Sequence, residues 1–423
     1  MEDILHYAWK YRLFNDNLTT TGGLSVEVVD VGIHNTDQGP DFFNAKIKID
    51  GELWAGNVEI HTSSDQWVKH KHHENAEYNS VILHVVERAN CEIENQRKEK
   101  IPQCAIVIPP RIKDNYDFLL HSDTQTPCAS NIGKMPSIHL ISWMGNLLVE
   151  RLERKSNRIF NLLNRYNGSW EEVFYIVLSR NFGFGLNSDS FERLAQSLPI
   201  RYLQKQGDSI MQTEALLFGQ AGMLEEPECK DAYFVQLQKE YTFLSKKYTL
   251  EPLDTFLFKK LRVRPTAFPQ IRIAQLANLI YQSRSLFSKI IKCEDIGQLR
   301  LMFHVDVSEY WQTHYCFGVE SEKKSKYLGD SSLDIILINT VVPILFSYGK
   351  SVGNEEMCER AINFLELIKP EKNSITTYFG KWKMPLRNAA DSQSIIQLRR
   401  EYCELRKCLL CRIGHQFLAS KEK

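Results

Sequence analysis

The sequence predicts an α+β protein: an N-terminal region ordered helix, strand, strand, strand, helix, strand (αβββαβ), followed by a larger all-α region. Three observations carry that expectation. Two short alternating runs meet at Asp50-Gly51 within residues 39–61, and residues 78–87 (YNSVILHVVE) form a β-branched run. From Ser137 onward, apolar residues recur at three- and four-residue steps.

Residues 1–14 place Ile4, Leu5, Ala8, Trp9 and Leu13 near the helical period, and residues 24–31, after a turn-rich stretch, are Val-rich and alternate as a strand does. Asp-Gly between alternating runs is a hairpin signal, because glycine accepts the positive φ of a tight primed turn. Thr62-Ser63-Ser64-Asp65 has capping character ahead of an expected helix over 66–74. Residues 78–87 and 104–108 read as further strands, and 87–100 as a polar loop. Residues 109–136, opened by Pro109-Pro110 and holding Cys128 in a TPCAS turn, read as a linker with little regular structure. The expected domains are 1–130 and 137–423.

Side chains alternate along a strand, so Val58 and Ile60 point to one face while Asn57, Glu59 and His61 point to the other. Asp41 enters the preceding strand at an end where its carboxylate can lie beside Glu59. Two carboxylates from adjacent strands suit a hard divalent cation such as Mg²⁺. A solvated hairpin face with a surface salt link is the competing reading.

At 43% hydrophobic and 25% charged, the composition is that of an ordinary globular chain. Formal net charge is zero, so a polyanionic partner must meet a local patch. The start of the sequence lacks a basic segment ahead of an apolar run, and no uncharged stretch approaches a membrane span. Ten scattered cysteines fit reduced thiols. Together these predict a cytoplasmic protein with no membrane partner.

Pro40-Asp41 and Glu59-Ile60-His61, set in that element order, resemble the motif of the PD-(D/E)XK nuclease superfamily over about the first 110 residues. The stretches GPDFFNAKI, GNVEIH and WVKHKHHENAEYNSVILHVV also resemble an uncharacterised family of bacterial proteins, a domain of unknown function. The superfamily resemblance implies a restriction-endonuclease-like core and metal-dependent phosphodiester cleavage. Asp41 and Glu59 would bind Mg²⁺ (or Mn²⁺) with the Ile60 carbonyl, and residue 61 would orient the attacking water. The superfamily's lysine is His61 here, which puts activity in question, with Lys46 and Lys48 as migrated candidates and Glu2 as a helix-one acid.

Five of the twelve histidines, His61, His70, His72, His73 and His84, fall between 61 and 84. With Trp67 and Lys69 they read either as nucleic-acid contacts and a second metal site, or as a polar loop beside a hydrogen-bonded core His84. Residues 255–293 carry eight positive charges, including Lys259, Lys260, Arg262, Arg264 and Arg272, and no acid. Interleaved aromatics make this the composition of a nucleic-acid groove, while a helix starting near Ile271 would solvate the same charges.

The helical region opens with the stripe Ile141, Met144, Leu148, Leu152, Ile159 and Leu163, leaving Arg151, Arg154, Lys155 and Arg158 exposed. Residues 333–346 are an apolar run holding Asp334, Asn339 and Pro343, hence a buried helix. The last helix carries Cys403, Cys408, Cys411 and His415, ligand types for zinc or an iron–sulfur cluster. A metal knuckle needs a turn, and an unbroken helical period up to Ile413 favours core thiols. The predicted function is a Mg²⁺-dependent nuclease, DNA ahead of RNA. The alternatives are a catalytically inactive nucleic-acid-binding protein of that fold, or a helical protein-interaction scaffold.

Overall fold

Asp50 and Gly51 adopt φ of 50° and 88°, the left-handed pair that a tight hairpin needs. In the computed structural model, which describes residues 2–15, 17–225 and 229–419, the chain divides into two units: residues 1–140 with 399–423, and residues 141–398. The C-terminal segment thus groups with the N-terminal residues and not with the helices that precede it.

The first unit contains α1 (Glu2–Lys10), β1 (Leu18–Thr19), β2 (Ser25–Asp30), β3 (Ile33–His34), β4 (Phe42–Ile49), β5 (Glu52–Ser63), α2 (Gln66–Lys69), β6 (Val81–Arg88), β7 (Gln103–Ala105), α3 (Pro110–His121) and α4 (Ala129–Ile132). Its sheet runs β1-β2-β4-β5-β6-β7 with β3 beside β4. The ladder is antiparallel as far as β5 and parallel from β5 to β7. Val58 and Ile60 lie in a core with Ile4, Leu5, Ala8, Trp9, Phe42, Ile47, Leu83 and Val85, so the alternation along β5 holds. On the other face Trp67, Tyr78, Val81, Ile93 and Ile101 form a second, smaller core.

A parallel β5–β6 pair requires a crossover, and residues 64–80 supply it. The helix expected over 66–74 is cut short there: α2 ends at Lys69, and Lys71 turns left-handed at φ 62° before the 3-10 turn His72–Glu74. Trp67 and His72 would sit about 140° apart on a continuous helix. The break lets both be buried. Residues 109–136 also depart from the expected linker. Pro110 opens α3, where its missing N–H costs nothing, and Ile112 and Leu119 of that helix are buried.

The second unit is helical: α5 (Ser137–Arg165), α6 (Trp170–Phe182), α7 (Ser188–Ser197), α8 (Ile200–Lys205), α9 (Ile210–Gln220), α10 (Ala232–Tyr248), α11 (Pro269–Gln282) and those that follow. Met144, Leu148, Leu152, Ile159 and Leu163 are buried, but the stripe starts one turn later than expected, since Ile141 is 51% exposed. Arg151 is buried instead of solvated, its Nε donating to Gln393 Oε1. Residues 330–352 form one helix long and apolar enough to cross a membrane, and most of it is buried inside this unit. Ile336, Leu337, Val341, Ile344 and Leu345 are wholly enclosed, as in a core helix.

The unbroken C-terminal helix is not found. Helix Ala389–Gln397 passes into a π turn, Leu398–Cys403; Arg406 turns left-handed at φ 52°, and a 3-10 turn, Cys408–Leu410, precedes helix Arg412–Ala419. Arg406 explains the break: its guanidinium donates to the carbonyls of Leu119, Ser122 and Thr124 at the end of α3. Those bonds compete with continued helix and leave Leu405 53% exposed.

Gly219 marks a close approach between α9 and α10. A Cβ there would fall 2.1 Å from Tyr241 Cγ, and the ring is held in place by its hydroxyl bond to Gln220 Oε1 at 3.0 Å. Gly219→Ala is expected to cost at least roughly 1–3 kcal/mol by overpacking, and Tyr241→Ala should restore part of it. Urea unfolding of the single and double variants measures both effects.

Candidate functional site

Asp41 precedes β4, and a register irregularity between Phe42 and Ala45 sets it against β5. Its Oδ2 accepts from the Ile60 N–H at 2.8 Å, while its own N–H donates to Glu59 Oε2 at 3.1 Å. This reciprocal pair holds the two carboxylates side by side. Around them, His72 Nε2 lies 3.2 Å and His61 Nε2 3.6 Å from Glu59 Oε1, and His6 Nε2 lies 3.2 Å from Asp41 Oδ2. Glu2 Oε1 stands 4.0 Å from His61 Nε2. The donor atoms of His61, His70 and His72 all lie within 4.8 Å of one another.

A hydrogen-bond chain sets the His61 tautomer. Gln103 Nε2 donates to the Cys91 carbonyl at 2.8 Å, so its Oε1 faces His84 Nδ1 at 3.3 Å as an acceptor. His84 therefore carries its proton on Nδ1 and offers Nε2 to His61 Nδ1–H at 2.9 Å. His61 Nε2 is left without a proton and accepts from His70 Nδ1 at 3.2 Å, its lone pair turned toward the carboxylate side, the orientation a metal-ligating imidazole takes. Parallel pairing of Glu59 with His84 across β5 and β6 builds this chain.

Burial governs the charges. Glu59 is 4% and His61 1% exposed. Burial, then the charge of Asp41, pushes the Glu59 carboxyl up to about 9. Burial, followed by His84, His72 and His70, pushes His61 down to about 2, and burial takes His84 to about 4. Burial alone would lower His6, but the Asp41 carboxylate outweighs it and the net direction is upward. A divalent cation fits this set: His72 Nε2 is buried and has no hydrogen bond, although it lies beside Glu59 Oε1. An ion shared by the two would use both lone pairs.

Asp41, Glu59 and His61 are thus brought together, and His70 and His72 join them. Trp67 is not available for base stacking: it is fully buried and donates to the Glu94 carbonyl at 3.0 Å. Lys69 is paired with Asp65 at 2.5 Å, and His73 lies 3.4 Å from Glu74. In the helical unit Lys259, Lys260, Arg262 and Arg264 are exposed. Arg272 is half-buried, stacked 4.0 Å over Phe184, and bonded to Gln275. Arg262, Arg264 and Arg272 line a cavity of about 300 Å³ with Phe184. His415 does not face the C-terminal cysteines; its Nδ1 bonds the Tyr7 hydroxyl.

Sequence reasoning did not reach His6 or Gln103. The signal for His6 was its four-residue spacing from Glu2, opposite the apolar stripe of α1. Gln103 had none, being polar and solitary. No curated protein and no solved structure matches the chain. Residues 2–374 match the family described as Protein of unknown function (DUF2851), and the chain belongs to that family.

Proposed function

We propose that the first unit is a metal-dependent hydrolase of phosphodiester bonds in nucleic acid, DNA ahead of RNA, centred on Asp41, Glu59, His61 and His72. One observation carries this reading: two carboxylates and two imidazoles converge while the His84–Gln103 chain leaves His61 Nε2 without a proton, its lone pair turned toward Glu59 and His70. The PD-(D/E)XK resemblance supports it through the order of α1, β2, β4, β5 and β6 and the positions of Asp41 and Glu59. Imidazole donors suit Mn²⁺ or Zn²⁺ better than Mg²⁺, which prefers oxygen and water. When bound, such an ion supplies Lewis acidity toward a phosphoryl oxygen and lowers the pKa of a water. Asp41, Glu59, His61 and His72 would hold it. His6, whose pKa the neighbouring Asp41 carboxylate raises against the effect of burial, is placed to hold a phosphate oxygen or give a proton to the leaving group. His70 stands exposed beside His61 and reaches solvent.

The enclosure of Glu59 and His61 favours a second reading, a site that binds metal and nucleic acid without cleavage. The two readings part in one assay. Chelator-stripped protein is supplied in turn with Mn²⁺, Zn²⁺ and Mg²⁺ and incubated with end-labelled single- and double-stranded DNA. The hydrolase reading expects cleavage that needs the metal and disappears in Asp41→Ala. Product that persists in that variant removes the site from consideration, and metal binding with no product leaves the silent reading.

A further inference from the structure

The cavity of about 300 Å³ in the helical unit is lined by three guanidiniums, Arg262, Arg264 and Arg272, and three phenylalanines, Phe182, Phe184 and Phe191. Among the described residues no carboxylate lines it. Its walls come from two stretches far apart in the chain, and Asn187 fastens them together. Asn187 Nδ2 donates to the Lys259 carbonyl at 3.0 Å, and its Oδ1 accepts from the Lys259 N–H at 2.7 Å. Ser190 Oγ adds a bond to the Leu257 carbonyl at 2.6 Å. Phe182 and Phe191 are fully buried while Arg262 and Arg264 are exposed, so an apolar floor faces a basic rim.

The arginines lack the partners that would make them structural. Among the described residues the side chains of Arg262 and Arg264 form no hydrogen bond or ion pair. Arg272 stacks on Phe184 and donates to two neutral oxygens, Gln275 Oε1 at 3.0 Å and Ser332 Oγ at 3.4 Å. Its Nε is buried without a hydrogen bond, and burial, with no acid opposing it, lowers its pKa to about 10. An enclosed cationic donor left without an acceptor is costly, and an anion in the cavity would offset that cost. Two lining residues also hold backbone that bulky side chains avoid, Phe184 at φ 42° and Arg262 at φ 61°. Strain of this kind persists where the surroundings enforce it, and it gathers at ligand sites. A merely solvated basic face requires neither the strain nor the enclosed guanidinium.

We infer that this cavity binds one nucleotide, with its phosphate among Arg262, Arg264 and Arg272 and its base packed on the phenylalanines. Guanidinium forks match phosphate oxygens, and aromatic rings accept any base by stacking. The volume is that of a small-ligand pocket and not of a groove that a strand runs through. A free mononucleotide and the phosphorylated end of a strand present the same chemistry. The pocket is independent of the reading given for Asp41 and Glu59.

The test is calorimetric titration of the full chain, in a chelator, with adenosine 5′-monophosphate, adenosine and inorganic phosphate. The monophosphate should bind saturably, and the other two more weakly by about tenfold or more. Its affinity should fall by about tenfold or more in Arg264→Ala and in Arg262→Gly, and stay unchanged in Asp41→Ala and in Lys289→Ala, an exposed cation outside the cavity. Glycine accepts the φ of residue 262, so the urea midpoint of Arg262→Gly should not fall, which separates lost binding from lost fold. A short oligonucleotide with and without a 5′-phosphate identifies the source. Tighter binding of the phosphorylated strand than of the monophosphate assigns the site to strand ends, and weaker binding assigns it to free nucleotide. Absence of saturable binding by both phosphorylated probes, affinity that Arg262→Gly and Arg264→Ala leave unchanged, or oligonucleotide binding indifferent to the 5′-phosphate overturns the inference.

Discussion

Glu59→Gln is expected to remove metal uptake at the histidine–carboxylate site and to lower metal-dependent hydrolysis by about 10³-fold, the worth of several kcal/mol of lost transition-state stabilisation. The fold should survive. Without a cation, burial and Asp41 hold the Glu59 carboxyl up to about 9, so at neutral pH the side chain is a neutral acid that glutamine imitates in shape and charge. Because the folded-state value lies above the ordinary one, the stability linked to this proton is complete below about 4.5 and is lost as pH rises through about 9. The variant should therefore be no less stable than the wild type near pH 8. Metal must displace the proton, so ion binding to the wild type at neutral pH should release about one proton from Glu59. Calorimetric titrations in buffers of different ionisation enthalpy measure that release. Full uptake and hydrolysis by Glu59→Gln would dismiss the site.

Glu214→Gln should flatten the pH dependence of the helical unit's stability. Glu214 on α9 is wholly buried; burial raises it to about 7, against bonds from Tyr233, at 2.6 Å to Oε2, and Trp311, at 3.0 Å, that hold it down. The folded-state value is raised, so the favourable contribution is full below about 4.5 and is lost as pH climbs through about 7. The loss amounts to about 3 kcal/mol once Glu214 is ionised. Glutamine keeps an acceptor for the Tyr233 hydroxyl and the Trp311 N–H and does not ionise. Urea unfolding at about pH 5 and about pH 8.5 should show the wild type losing about 3 kcal/mol relative to the variant between the two conditions. Parallel behaviour of the two proteins would mean that Glu214 is already ionised at low pH.

Much of the first unit is legible without coordinates because its signals are local. The Asp50-Gly51 turn needs only the backbone freedom of two residues, and the period of β5 alone puts Val58 and Ile60 in the core and sends Glu59 and His61 to one opposite face. Likewise Met144, Leu148, Leu152 and Ile159 declare the buried side of α5 by spacing. Where local signals misled, a tertiary contact had won. Pro109-Pro110 reads as a linker, yet Pro110 begins a helix whose Ile112 and Leu119 enter the core. Leu398 to Ile413 keeps a helical period, yet Arg406 trades helix for three carbonyls of a distant segment.

The mixed class, the hairpin, the shared face of Glu59 and His61, and the nearness of Asp41 all follow from residue order alone. The family match covers residues 2–374. The packing of remote elements settles which imidazoles surround Glu59 and which nitrogen of His61 carries the proton. Periodicity reports which side of its own element a residue occupies. Meeting between elements remote in the chain depends on crossover path, register and packing, to which His6 and Gln103 each contribute a single side chain with no pattern of its own.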